Sequence, residues 1–80
     1  MLFQILRIEL DERGNVISRR PLQPCYELRD HAMAMAEFDA AQCWGEYGYD
    51  NERDCWWARD TSDRMFRFEI ENVPANDVAA

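Results

Sequence analysis

Cys25, His31, Cys43 and Cys55 are the side chains of this chain that could bind a soft metal or carry thiol chemistry. Structural zinc is held tetrahedrally, usually by closely spaced ligand pairs such as C-x2-C. Here the gaps are irregular and no pair is local, so the cysteines read as small apolar residues rather than ligands. Cys25 with His31 could form a nucleophile and base, but that chemistry needs a third group to orient the imidazole. Asp30 is adjacent in sequence to His31, and on a helix a neighbour points about 100° away. His31 therefore reads as a solvated or capping residue near a helix start.

Carboxylates supply the other possible chemistry. Asp50-Asn51-Glu52-Arg53-Asp54 places oxygens at alternate positions, as calcium loops do. A calcium loop in that register needs Gly at its sixth place and Glu at its twelfth, where this chain has Cys55 and Thr61. Glu69 and Glu71 share one face of a strand, but a glycosidase pair needs a cleft that raises the pKa of one acid. An open sheet in a chain of 80 residues offers no such cleft, so these acids read as solvated partners of Arg67. No phosphate loop, dinucleotide fingerprint or nucleophile elbow occurs. No enzyme activity, cofactor or metal is expected.

The aromatic residues carry more information. Trp56 and Trp57 are adjacent, and in a strand successive side chains point to opposite faces. One indole can enter the core while the other lies on the far side of the sheet. Leaving it exposed there would forgo about 1.5–3 kcal/mol of burial. A candidate interaction surface follows, comprising one of Trp56 and Trp57 with Arg67, Glu69 and Arg7 on the face away from the helix. A candidate ligand pocket comprises Trp44, Tyr47, Tyr49 and Arg59 near the end of the helix, apolar with a few polar groups.

The elements that must position these residues are legible from periodicity. Leu2 to Leu10 alternates, with Leu2, Leu6, Ile8 and Leu10 on one face and Phe3, Ile5, Arg7 and Glu9 on the other. Asp11-Glu12-Arg13-Gly14-Asn15 supplies a turn, and Val16 to Arg20 returns as a second strand that Pro21 and Pro24 should end. Leu28 to Trp44 is rich in Ala and Met and predicts the one helix, stopped by Gly45 and Gly48. Leu28, Ala32, Met35, Ala36, Ala40 and Cys43 share one arc of that helix. The small residues at four-residue spacing should let it lie close to a sheet.

Glu46 to Asp54 reads as a polar, tyrosine-bearing loop. A third strand then runs from Arg53 or Asp54 to Asp60, and a fourth from Arg64 to Glu71 with Phe66, Phe68 and Ile70 inward. The expected fold class is α+β, in the order ββαββ: one mainly antiparallel four-stranded sheet with a single helix packed on one face. One domain should span residues 1–72, followed by a frayed tail over 73–80.

The chain has a net charge of −7, and all nine of its basic residues are arginine. The absence of lysine fits a GC-rich, bacterial coding sequence. Residues 1–36 balance to zero, whereas residues 37–63 carry eight acids against Arg53 and Arg59, a sum of −6. Such a surface repels nucleic-acid phosphates and anionic lipid, so neither nucleic acid nor membrane is an expected partner. No apolar run reaches the roughly 20 residues of a membrane span. Residues 1–6 lack the basic flank of a signal peptide, so the chain is expected in a cytoplasm with its thiols reduced.

The leading functional expectation is a non-enzymatic module that binds a protein partner or a second copy of itself, possible as a homodimer, through the helix-free sheet face. One alternative is a metabolite-binding domain using the pocket near Trp44 and Trp57. A second is an acidic inhibitor or mimic that occupies a basic partner.

Overall fold

A computed structural model describes residues 1–74. The elements are β1 (Leu2–Leu10), β2 (Val16–Tyr26), α1 (Arg29–Ala41), β3 (Glu46–Asp50), β4 (Cys55–Arg59) and β5 (Met65–Val73). The five strands form one antiparallel sheet in the order β2-β1-β5-β4-β3. The fold class is α+β with one helix, as expected, but the order is ββαβββ and the sheet has five strands rather than four.

The additional strand is β3, which the sequence reading treats as a loop. Its sequence alternates Tyr47 and Tyr49 against Glu46, Gly48 and Asp50, and it pairs with β4 from Glu46↔Arg59 to Asp50↔Cys55. β2 also departs from expectation, continuing through Pro21 and Pro24 to Tyr26. It can do so because it is an edge strand, where a residue without an N–H breaks no ladder on its outer side. β5 runs to Val73, past Glu71, the expected end of the fourth strand, and residues 75–80 of the expected tail lie outside the described residues.

At the centre, β1 and β5 pair without interruption from Leu2↔Val73 to Leu10↔Met65. Residues directly opposite share a face, so Ile5, Arg7, Phe66, Phe68, Trp56, Ala58, Tyr47 and Tyr49 lie on one side of the sheet. That is the side that α1 covers. Ala36, Ala40, Ile5, Ala58, Phe66 and Phe68 form the buried cluster, with Leu22, Met35, Cys43, Trp56 and Ile70 packed around it. Burial of Phe66 and Phe68, each 2% exposed, contributes about 1.5–3 kcal/mol per side chain. Ala32, Ala36 and Ala40 are the buried residues of α1. Their small side chains bring the helix backbone down onto two phenylalanines, in keeping with their four-residue spacing.

The ends of the helix differ from expectation. Leu28 is the N-cap but provides no side-chain hydrogen bond and is exposed. The helix start is instead tied to the β3–β4 turn by an ion pair of 2.6 Å between Arg29 and Asp54. After the C-cap Gln42, the left-handed residue is Trp44, with φ of 64°. Gly45 and Gly48 are therefore not caps. A Cβ on Gly45 would run into the carbonyl oxygen of Arg59, with the carbonyl carbon 2.9 Å away, so only glycine lets β3 start against β4. Gly48 lies in mid-strand, where the Trp57 indole rests directly on its backbone.

Each hairpin turn is held by an aspartate. Asp11 accepts hydrogen bonds from the backbone N–H groups of Arg13 and Asn15. Asp50 accepts from Glu52 and Arg53. Asp60 accepts from Ser62 and Arg64 and also pairs with the Arg64 side chain. The Asp50–Asp54 segment thus spends a carboxylate on turn formation, the usual role of Asp at such positions.

Candidate functional site

Register decides where each candidate residue lies. Trp56 pairs with Phe68 and faces the helix side, and Trp57 pairs with Arg67 and faces the opposite side. The two indoles lie on opposite faces of one strand, each half-buried. Arg67 and Glu69 join Trp57 on the helix-free face, where Arg67 Nε lies 3.1 Å from a Glu69 carboxylate oxygen. Arg7 does not belong to that surface. It pairs with Phe68, and its guanidinium lies 4.5 Å from the centre of the Phe66 ring, on the helix side. The odd positions of β1 face the helix even though the even positions are the more apolar set.

The helix-free face is less bare than expected. Ile8 and Cys55 lie on it yet are buried, at 2% and 0% exposure. Register places Arg67 directly opposite Ile8, next to Trp57, and the Arg67 side chain keeps only 16% exposure. Arg67, with its apolar stem, thus covers part of this face from within the chain, and an open groove lined by Leu10, Trp57, Arg59 and Met65 lies beside it. Burial also pushes the Cys55 thiol up to about 11, with Glu69 and Asp50 adding to the shift.

The expected pocket of Trp44, Tyr47, Tyr49 and Arg59 is not assembled. Tyr47 and Tyr49 face the helix side, Arg59 faces the other, and Trp44 is 81% exposed beyond the helix. Parity separates Arg59 from the tyrosines: its cross-strand partner is Glu46, one residue out of phase with Tyr47. Cys25, His31, Cys43 and Cys55 are dispersed over β2, α1, the segment after α1, and β4. The His31 ring packs on Tyr26, with centroids 4.8 Å apart. Among the described residues, no group of three or more His, Cys, Asp or Glu side chains is placed to hold a metal ion.

A different constellation stands out between α1 and the β3 edge. Tyr47 and Tyr49 flank Trp56, with ring centroids 6.3 and 5.4 Å away. Both tyrosines are exposed, so the half-buried indole forms the floor of an aromatic ledge. An open groove runs beside it, lined by Arg29, Asp30, Met33, Glu37, Tyr49 and Asp54 among others. Its charged lining is one guanidinium against three carboxylates. Asp54 binds both the Tyr49 hydroxyl and Arg29. The Tyr49 hydrogen bond, then Arg29, holds the Asp54 carboxyl below its ordinary range, and the same bond raises the Tyr49 phenol. β3 itself is an edge strand, so its outer backbone groups have no partner strand among the described residues. The strict alternation of the two tyrosines was the available sequence signal for this ledge.

Comparison with models of protein families finds no match, and comparisons with curated proteins and with solved structures find none either. No helix of the described chain is long and apolar enough to cross a membrane.

Proposed function

We propose that this protein is a non-enzymatic interaction module that receives an extended, basic segment of a partner protein along β3. The observation that carries this reading is the pair of exposed tyrosines flanking Trp56 on an unpaired strand edge. An incoming strand gains affinity from main-chain hydrogen bonds and selectivity from alternate side-chain pockets. Tyr, Trp and Arg dominate interface energetics, and two rigid aromatic rings lose little conformational freedom on docking. Asp30 and Glu37 in the groove, which form no ion pair among the described residues, favour a partner that carries arginine or lysine. The surface proposed lies on the helix side of the sheet; on the helix-free face Ile8 and Cys55 are buried.

Titration with an eight-residue peptide alternating arginine and valine tests this, read by Trp fluorescence at low salt. Saturable binding that weakens as salt rises is expected. Tyr47→Ser, a change at an exposed side chain, should weaken it at least fivefold without altering the fold. Equal binding of an Asp-Val peptide, or no binding of either, would refute the proposal.

A further inference from the structure

We infer that the cavity between the C-terminal end of α1 and the β1–β2 hairpin is a site for a small zwitterion of the amino-acid class, its carboxylate on Arg7 and its ammonium on Asp39. The first observation is the pairing of arginines. Arg29, Arg53, Arg59, Arg64 and Arg67 each have a carboxylate within 4.0 Å. Among the described residues, none of the first hairpin's arginines (Arg7, Arg13, Arg19 and Arg20) forms such a pair. Three of these are exposed and solvated, but Arg7 is half-buried. A half-buried guanidinium without a carboxylate partner is unusual in a chain of net charge −7, because desolvating a charge is costly unless it is paired. Its contact with the Phe66 ring recovers part of that cost.

The second observation is the shape and lining of the cavity. It measures about 360 Å³ and is lined by Arg7, Asp39, Gln42, Leu22, Phe66 and Phe68, with Cys43 and Asp60 completing the wall. A smaller cavity of about 180 Å³ adjoins it through Arg7 and Phe66 and adds Ser18, Arg20 and Glu9, whose carboxylate forms no ion pair with Arg7. Asp60 is committed to its turn and to Arg64. Asp39 has no side-chain hydrogen bond or ion pair among the described residues, and burial raises its pKa despite the opposing pull of Arg7. Opposite charges thus face one cavity without closing on each other, above an apolar floor. That arrangement complements a ligand carrying both charges and an apolar side chain. The planar guanidinium can fork onto a carboxylate, the Asp39 carboxylate and the Gln42 amide oxygen can accept from an ammonium, and the half-buried Leu22 can pack the side chain above the buried Phe66 and Phe68.

This site lies across the helix from the β3 groove, and it gives Arg7 a role apart from the helix-free surface. Calorimetric titration of the full chain with L-leucine, 4-methylpentanoate and 3-methylbutylamine separates the two charges. Leucine should bind at least tenfold more tightly than either single-charge analogue. Arg7→Met, which keeps an apolar stem over Phe66, should abolish leucine binding. Asp39→Asn should remove the preference for leucine over 4-methylpentanoate, and it keeps the inference falsifiable should the Arg7 variant fail to fold. Tyr47→Ser should leave leucine binding unchanged, which keeps this result independent of the peptide result. The inference is overturned by absence of leucine binding at millimolar concentration, by equal affinity for the three compounds, by an undiminished leucine preference in Asp39→Asn, or by unaltered binding in a folded Arg7→Met protein.

Discussion

Replacing Gly45 with alanine should detach β3 from the sheet while leaving its centre intact. The added Cβ would run into the Arg59 carbonyl oxygen and lie 2.9 Å from its carbon and 3.1 Å from the Asp60 carbonyl carbon. Moving the nearer carbon out to an ordinary ~3.5 Å contact requires a shift of roughly 0.6 Å, and the oxygen demands more. A shift of that size stretches a ~2.9 Å hydrogen bond to the limit of useful geometry. Because both clashing groups are backbone, no side chain can swing aside. Loss of one or two ladder bonds at ~1 kcal/mol each, with overpacking of about 1–3 kcal/mol, gives a destabilisation of roughly 2–5 kcal/mol. In a domain of this size that lowers Tm by roughly 8–40 °C. Gly14→Ala is the control: nothing lies within 4 Å of its Cβ, and its φ of +84° should cost only about 1 kcal/mol. Urea unfolding of both variants, with hydrogen exchange at the β3 amides, reads the difference. If Gly45→Ala stays within about 0.5 kcal/mol of the parent chain, or exchange accelerates evenly across all strands, the reasoning fails.

Other outcomes follow from packing and charge. Asp11 and Asp60 are held below the usual 3.8 mainly by backbone hydrogen bonds, from Asn15 and Arg64 respectively, and Asp54 is held there mainly by Tyr49. Groups depressed in the folded state stabilise above their unfolded pKa, so this contribution is complete above about pH 5 and is lost as pH falls through 3.8 and below. Asp39 acts in the opposite sense, since its raised pKa favours the folded state as it protonates. Asp39→Asn should therefore steepen the acid-side loss of stability in urea titrations between pH 5 and pH 3, and a shallower profile would contradict the assignment. Tyr49, raised above 10.0, should make stability fall as pH climbs through and beyond 10, and Tyr49→Phe should lessen that slope, leaving the part due to the raised Tyr26, Cys43 and Cys55. Cys55, 0% exposed, should resist Ellman's reagent in the folded chain and react only as fast as unfolding exposes it. Rapid labelling of all three thiols would show that the roof over it is open. Ala36→Leu forces three extra carbons into the helix–sheet contact and should cost about 1–3 kcal/mol or more, measured by thermal unfolding.

The elements legible in the sequence are those whose packing is one-sided. β5 alternates phenylalanine with charge, and α1 carries a four-residue alanine stripe, so each pattern points to a single buried face. β1 is readable as a strand but not as to which side faces inward, because apolar residues occupy both faces; pattern alone puts Arg7 on the wrong surface for this reason. Prolines are read as strand stops, yet at Pro21 and Pro24 they lie within an edge strand, where only one side needs hydrogen bonds. β3 is hidden because its two tyrosines, one glycine and two acids carry turn-like composition, and only the pairing with β4 makes it a strand. The aspartates at 11, 50 and 60 could be found together, since each follows or ends a strand and precedes a cluster of turn residues. Reading them that way accounts for part of the negative charge as local architecture.

The two margins of the sheet are not equivalent. Along β2, Pro21 and Pro24 offer no donor, whereas β3 contains no proline. Growth by strand addition can therefore begin on one flank only, and a copy that docks there presents no second open flank of the same kind. Such a molecule can take up one guest and then stop, which keeps a sticky border from seeding endless fibres.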